Sequence, residues 1–264
     1  MKTILVTGGT GTLGRQLVPL LVKTGSKVRV LSRKERATEN NVEYVTGDLA
    51  TGEGVDAAVK GVDVIVHCAG SSKGDEVKTR HLTEAALQAG RPHLVFISVV
   101  GADQPSYAYF KSKLLSEEVV TASGLPWTTL RATQFHDLIL VVMNALAKLP
   151  VMLAPSGFNF QPIDSGEVAA RMAELALGEP AGLVADIGGP QVLSFKEMAR
   201  EYLRATGKHR LVMPLPLFGK SARIVKAGSV LAPDHAYGRR TWAEFLGERS
   251  ALPQKANTLS SESR

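Results

Sequence analysis

Thr3-Ile4-Leu5-Val6-Thr7-Gly8-Gly9-Thr10-Gly11-Thr12-Leu13-Gly14 opens the chain, and its reading decides the fold. Thr3–Thr7 is a β-branched, apolar run that suits a buried strand. From Thr12 to about Thr24 the apolar residues recur at helical spacing. Between strand and helix the chain must turn sharply, which favours Gly8. A phosphate must approach the backbone, which favours Gly11, and the helix must pack closely on the strand, which favours Gly14. The helix N-terminus then offers free N–H groups and a partial positive charge to an anion. In this strand–turn–helix setting Gly8, Thr10, Gly11, Thr12, Leu13 and Gly14 are the expected contacts for the pyrophosphate of a dinucleotide.

Outward from this loop, strand-like and helix-like segments alternate, the signature of a parallel sheet with helices on both faces. Strands are expected at Lys27–Leu31, Glu43–Thr46, Val62–His67, Leu94–Val99 and Trp127–Arg131. Helices are expected at Val77–Ala89 and Tyr109–Ser123. The fold class is therefore α/β, a Rossmann-type doubly wound parallel sheet. Beyond Thr133 a helix is expected near Asp137–Ala147 and strand-like pieces at Asn159–Ile163 and Gly182–Ile187. Asp164 with Glu167, and Ser194 with Glu197, have capping-box spacing and start helices to Leu177 and Thr206. Helix-compatible stretches recur near Leu217–Ala227 and Arg239–Leu246. We expect one domain over residues 1–250, with a core to about 133 and a smaller substrate lobe from about 134. A polar, disordered tail is expected over 251–264.

The end of the second strand bears on which dinucleotide binds. An acidic residue there takes the ribose hydroxyls, whereas a basic one can take a 2′-phosphate. Here the strand ends Leu31-Ser32-Arg33-Lys34, with no acid before Glu35. Ser32 and Arg33 are thus expected cofactor contacts, since a guanidinium can grip a phosphate with two hydrogen bonds. This favours NADP(H) over NAD(H). The alternative is that Arg33 and Lys34 face water.

Bulk composition narrows the rest. The 264 residues carry 31 Lys and Arg against 25 Asp and Glu, but the excess is scattered, so nucleic acid is not an expected partner. Cys68 is the only cysteine and the histidines show no metal-ligand spacing, so neither a disulfide nor a metal site is expected. The longest apolar run, Leu138–Ala147, is far shorter than the roughly 20 residues of a membrane span. A strand starting so early leaves no expected leader, which makes the cytoplasm the expected location and a membrane an unexpected partner.

Taken together, these residues resemble the short-chain dehydrogenase/reductase superfamily, and most closely its atypical, NmrA-like, nucleotide-sugar-epimerase-like branch. The resemblance covers about residues 1–190. It rests on the glycine triplet, Gly47-Asp48-Leu49, His67-Cys68-Ala69-Gly70, Ile97 to Ala102, Leu130 to Phe135 and Phe160-Gln161-Pro162-Ile163-Asp164. It implies that Asp48 and Leu49 hold the adenine, Cys68, Ala69 and Gly70 line the ribose and pyrophosphate path, and Thr133 and Phe135 border the nicotinamide. On the residues alone, Asp48 could instead cap the following turn, and Cys68 reads as a small filler rather than a reactive thiol.

Chemistry is expected from Tyr109-Phe110-Lys111-Ser112-Lys113, which sets Tyr109 and Lys113 one helical turn apart on one face. Hydride transfer to a carbonyl leaves charge on oxygen, so a nearby proton donor lowers the barrier. Tyr109 is the candidate acid. The Lys113 ammonium is expected to lower its pKa and to reach the nicotinamide ribose, and Ser98 to bond the same substrate oxygen. The resemblance implies the same three roles. Tyr107 and Lys111 have the same spacing but face elsewhere on a helix; Ser112 before Lys113 and Glu117 after it favour the Tyr109 pair, and Tyr107 is expected in the preceding loop.

The expected function is an NADPH-dependent oxidoreductase acting on a small carbonyl-, quinone- or enone-like substrate. Two alternatives stay open: a non-catalytic NADP(H)-sensing regulator, and a nucleotide-sugar epimerase or dehydratase. Nothing in the sequence specifies an oligomer, although one is possible.

Overall fold

In the computed structural model the described residues are 1–70, 74–104 and 108–251, with no account of the side chains of 250 and 251. The core is a parallel seven-stranded sheet of order β3-β2-β1-β4-β5-β6-β9. Its strands are β1 (Thr3–Thr7), β2 (Lys27–Ser32), β3 (Val42–Thr46), β4 (Val64–His67), β5 (His93–Val99), β6 (Trp127–Ala132) and β9 (Gly182–Leu183). The intervening helices are α1 (Thr12–Lys23), α2 (Val55–Val59), α3 (Asp75–Gln88), α4 (Ala108–Ala122), α5 (His136–Leu146) and α6 (Ser165–Leu177). This is the expected doubly wound α/β fold.

Strand alternation divides the apolar residues between two layers. Ile4, Val6, Val28, Val30, Val66 and Val95 face α1 and α6, meeting Leu17, Leu21, Val168 and Met172. Leu5, Leu31, Ile65, Leu94 and Phe96 point the other way, onto Val55 and Val59 of α2, Leu82 and Ala86 of α3 and Val120 of α4. Both faces of these strands are buried, which is why they read as continuous apolar runs.

The later chain contains β7 (Val151–Pro155), β8 (Asn159–Phe160), β10 (Leu193–Ser194), α7 (Phe195–Thr206), β11 (Leu211–Leu215), α8 (Lys220–Lys226) and α9 (Trp242–Ala251). β7 and β11 pair in parallel as a ribbon outside the main sheet. Gln161 stitches this region together: its Nε2 donates to the Gly189 and Ala232 carbonyls, and its Oε1 accepts from the Ala232 N–H. No helix among the described residues is long and apolar enough to cross a membrane.

Several boundaries differ from the sequence expectations. Neither α2 nor the β7–β11 ribbon was expected, and the strand near 182–187 shortens to β9, with Ile187 making only an isolated bridge to Ala132. Ser194 and Glu197 form a full capping box, whereas Asp164 caps α6 alone, accepting from Gly166 and Glu167 N–H. The Glu167 carboxylate instead accepts from the Arg239 and Arg240 N–H groups. Ala251 ends α9 rather than starting a tail, and the rest of the expected tail lies outside the described residues.

Candidate active site

Strand order reverses between β1 and β4, and the crevice beyond the carboxyl ends of strands at such a switch point is where α/β sheets collect ligands. Thr7 and His67 end those two strands side by side, with Thr7 Oγ1 2.6 Å from His67 Nδ1. His67 Nε2 reaches Thr79 Oγ1 on α3 at 3.2 Å, and Thr79 donates in turn to the Asp75 carbonyl. Burial, with the Lys113 ammonium adding to it, pushes the His67 pKa down to about 3. Burial also lowers that of His136, at the start of α5, to about 4.

Both histidines are therefore neutral in the fold, while the unfolded chain takes up their protons below about pH 6.5. Their contribution to stability is full above that pH and is lost as pH falls toward the folded values. Urea melts between pH 6.5 and pH 4 should lose roughly 1.4 kcal/mol per pH unit for each histidine. A flat profile would show that they are protonated in the fold.

The glycine loop has the geometry that a bound diphosphate needs. Gly8 has φ +69°, and a Cβ on it would lie 2.7 Å from the Ala69 nitrogen at the end of β4. A Cβ on Gly14 would lie 2.3 Å from the Gly8 oxygen and 2.5 Å from the Gly9 Cα, so the helix sits directly on the loop. Gly11 is the N-cap of α1, no side chain caps that end, and no acid occupies its first turn. The first amides of α1 are thus left to an outside anion. Arg15 braces the loop, its Nε donating to the Thr10 carbonyl at 2.7 Å.

A cavity of about 330 Å³ opens from this helix end. It brings together Gly11, Thr12 and Leu13 of the loop, Cys68 and Gly70 after β4, and Ser98 at the end of β5. Tyr109 and Lys113 of α4, and Thr133 and Phe135 after β6, complete the expected residues along its wall. Its remaining wall is largely apolar, with Ile97, Val99, Val100, Phe110 and Leu138. The Ser98 hydroxyl is buried and has no hydrogen-bond partner among the described residues. A buried hydroxyl without a partner costs free energy unless a ligand supplies one.

Of the two Tyr/Lys pairs, Tyr109 and Lys113 meet in the cavity while Lys111 is exposed; Tyr107 lies outside the described residues. Tyr109 stands at the cavity mouth, 38% exposed. Its electrostatics differ from expectation. Desolvation first, and then the Asp75 carboxylate, raise the Tyr109 pKa. The Asp75 carboxylate is itself part of an ion pair that the sequence did not reveal: Lys113 Nζ lies 3.2 Å from Asp75 Oδ2, and both side chains are buried. A Cβ on Gly70 would meet both atoms, at 3.0 Å from Nζ and 3.2 Å from Oδ2. Asp75 starts α3, two residues before the expected helix start, and its partner is 38 positions away on another element.

The remaining expected residues are outside the cavity wall or already committed. The Thr133 hydroxyl, although at the wall, donates to the Gln161 carbonyl. Burial pushes the Cys68 thiol up to about 12, which keeps it protonated. Thr10 borders a neighbouring groove with Arg15, Arg36 and Tyr44. Ser32 Oγ is bound within its own turn, to Lys34, and Arg33 is exposed and pairs with no carboxylate among the described residues. Asp48 Oδ1 accepts from the Ala50 N–H at 2.9 Å, which is the turn-capping alternative, and the Leu49 side chain packs in the core. Ala69 backs the loop through its N–H, directed at Thr7 Oγ1.

A family model described as NAD(P)H-binding matches residues 8–142, just over half of the chain. A (4-alkanoyl-5-oxo-2,5-dihydrofuran-3-yl)methyl phosphate reductase from Streptomyces griseus is 30% identical over 212 residues, 78% of this chain and 74% of the relative. An NAD(P)H azoreductase from Xenophilus azovorans is 32% identical over 214 residues, with the same coverage of 78% and 74%. In fold, the chain is similar to an NADPH-dependent quinone oxidoreductase from Escherichia coli solved with NADPH. The TM-score is 0.78 at 18% identity, over 94% of this chain and 99% of that one.

Proposed function

As the chain belongs to the NAD(P)H-binding family, we propose that it is an NADPH-dependent reductase of a small, largely apolar carbonyl-, quinone- or enone-like substrate. The observation that carries this reading is the convergence of the uncapped α1 terminus, the unpartnered Ser98 hydroxyl, Tyr109 and Lys113 on one apolar-walled cavity. The glycine loop fits the cofactor's pyrophosphate because Gly8 and Gly14 let the loop close on β4 and α1 with no side chain in the way, and the α1 terminus beside it has no side-chain cap. Bound NADPH supplies a hydride.

The chain's own residues do the rest. Ser98 Oγ orients the substrate oxygen by donating to it, which satisfies a hydroxyl otherwise left alone. Tyr109 gives its phenolic proton to that oxygen as negative charge grows there. Lys113 holds the ribose side of the site, and Ile97, Val100, Phe110 and Leu138 keep water from the reacting atoms.

A screen for NADPH oxidation over ketones, quinones, enones and azo compounds tests this directly. Oxidation above the background rate with members of one class is the expected result. Silence across the panel, with NADPH bound tightly, would favour a cofactor sensor instead. Cofactor choice should rest on Arg33. Its replacement by alanine is expected to weaken NADPH binding by about 10- to 100-fold, the loss of a charge-assisted phosphate contact, and to leave NADH binding unchanged. Equal effects on both cofactors, measured by fluorescence titration, would remove Arg33 from the phosphate.

A further inference from the structure

The Asp75–Lys113 pair is built into the junction of two helices. Asp75 sits in the first turn of α3, where its N–H is 3.3 Å from Ser112 Oγ on α4. Ser112 Oγ also donates to Glu76 Oε2 at 2.8 Å, so one hydroxyl fastens the start of α3 to the helix that carries Tyr109 and Lys113. On the other side the Lys113 ammonium lies over the face of Phe96, 5.4 Å from the ring centroid. Gly70 closes the third side with no Cβ to push the pair apart.

An unpaired ammonium near a phenol favours the phenolate; an ammonium already matched by a carboxylate does so far less, because the two opposite fields largely cancel at a distance. We propose that Asp75 is a positioning residue of this site: it fixes the Lys113 ammonium against Gly70 and cancels its charge toward Tyr109, keeping Tyr109 a protonated donor. The inference rests on the reductive reading of Tyr109 and Lys113, and it accounts for the direction in which Asp75 moves the Tyr109 hydroxyl.

The other groups facing the pair do not take over this task. From α3, Lys78 Nζ lies 3.4 Å from Asp75 Oδ1, but it is more exposed than Lys113 and so better screened, and Glu76 is engaged by Ser112. From β4, His67 is held neutral and the Cys68 thiol stays protonated. From β5 the Phe96 ring lies against the Lys113 ammonium, and Ser98 brings a hydroxyl without charge to the same cavity. Further along α4, Glu117 is bound to Arg131 through both of its oxygens.

The test needs no turnover. Tyrosine ionisation is followed by ultraviolet difference titration in the full-length chain, and the Tyr109 contribution is isolated by subtracting Tyr109→Phe. In the otherwise unaltered protein Tyr109 should ionise above the ordinary phenol value of about 10. In Asp75→Asn, referenced to the matching double variant, its midpoint should fall by about one to three pH units. An unmoved midpoint in a folded Asp75→Asn protein would overturn the proposal. If that variant does not fold, as judged by circular dichroism, Asp75→Ser takes its place with the same two outcomes, and ionisation of Tyr109 below about 10 in the unaltered protein overturns the proposal whichever variant folds. Wild-type turnover by Tyr109→Phe would remove Tyr109 as the acid on its own, with the titration still reporting on the pair.

Discussion

Replacing Tyr109 by phenylalanine is expected to lower the rate of NADPH-dependent reduction by about 10²- to 10⁴-fold, the range that a positioned proton donor contributes. The ring stands at the cavity mouth and packs edge-on against Phe110 at 5.6 Å between centroids, so phenylalanine can keep that packing. NADPH affinity and thermal stability should therefore change little, and the loss should fall on kcat rather than on cofactor binding. A conserved melting temperature together with a lost rate identifies the hydroxyl as the acid. An unchanged rate would leave Tyr109 as a packing residue and require another donor at the site.

Gly14→Ala is expected to impair function by a different route, through the cofactor. The added methyl would sit 2.3 Å from the Gly8 oxygen and 2.5 Å from the Gly9 Cα, and both are backbone atoms that cannot rotate aside. Either α1 lifts from the loop or the loop shifts, and in both cases the amides at the helix end lose their alignment. Overpacking of this kind costs about 1–3 kcal/mol in stability, with the upper end expected because the clash is with backbone. Misaligned amides should weaken NADPH binding by about 100-fold, equivalent to about 2.7 kcal/mol. Ser98 and Tyr109 lie on other elements and would be intact, so the expected signature is lost cofactor affinity in a protein that still folds at lower temperature.

Much of this was legible because parallel strands buried on both faces leave an unmistakable trace. Thr3–Thr7 and Leu94–Val99 are near-continuous apolar runs, and Gly8 and Gly14 are each demanded by a close backbone approach in one loop. The β7–β11 ribbon left no such trace. Pro155 and Pro214 stand in it, and its outward positions Leu153, Leu211 and Met213 are apolar yet exposed, so the alternation that marks a half-buried strand is missing. At α2 a five-residue helix is too short to show a period. The spacing of Asp164 and Glu167 promised a capping box, but the amides of Arg239 and Arg240, more than seventy positions away, claimed the glutamate.

At the site the limits are electrostatic rather than geometric. Spacing alone placed Tyr109 and Lys113 on one face, and the cavity contains both. The direction of the shift at Tyr109 could not be read from spacing, because desolvation sets it first and the Asp75 carboxylate, brought to Lys113 by the packing of α3 on α4, adds to it. Asp48 shows the same limit. Its place at a strand end suits a ligand contact, and the structure uses one of its oxygens to cap the turn to Ala50.

The proposed reduction depends on the amides at the start of α1 receiving the cofactor's pyrophosphate. Calorimetric titration of the purified chain with NADPH, alongside Gly14→Ala, measures that most directly. The expected result is saturable binding of one NADPH per chain, weakened by about 100-fold in the variant. Binding of equal strength in both proteins, or no binding of NADPH or NADH to either, would contradict it.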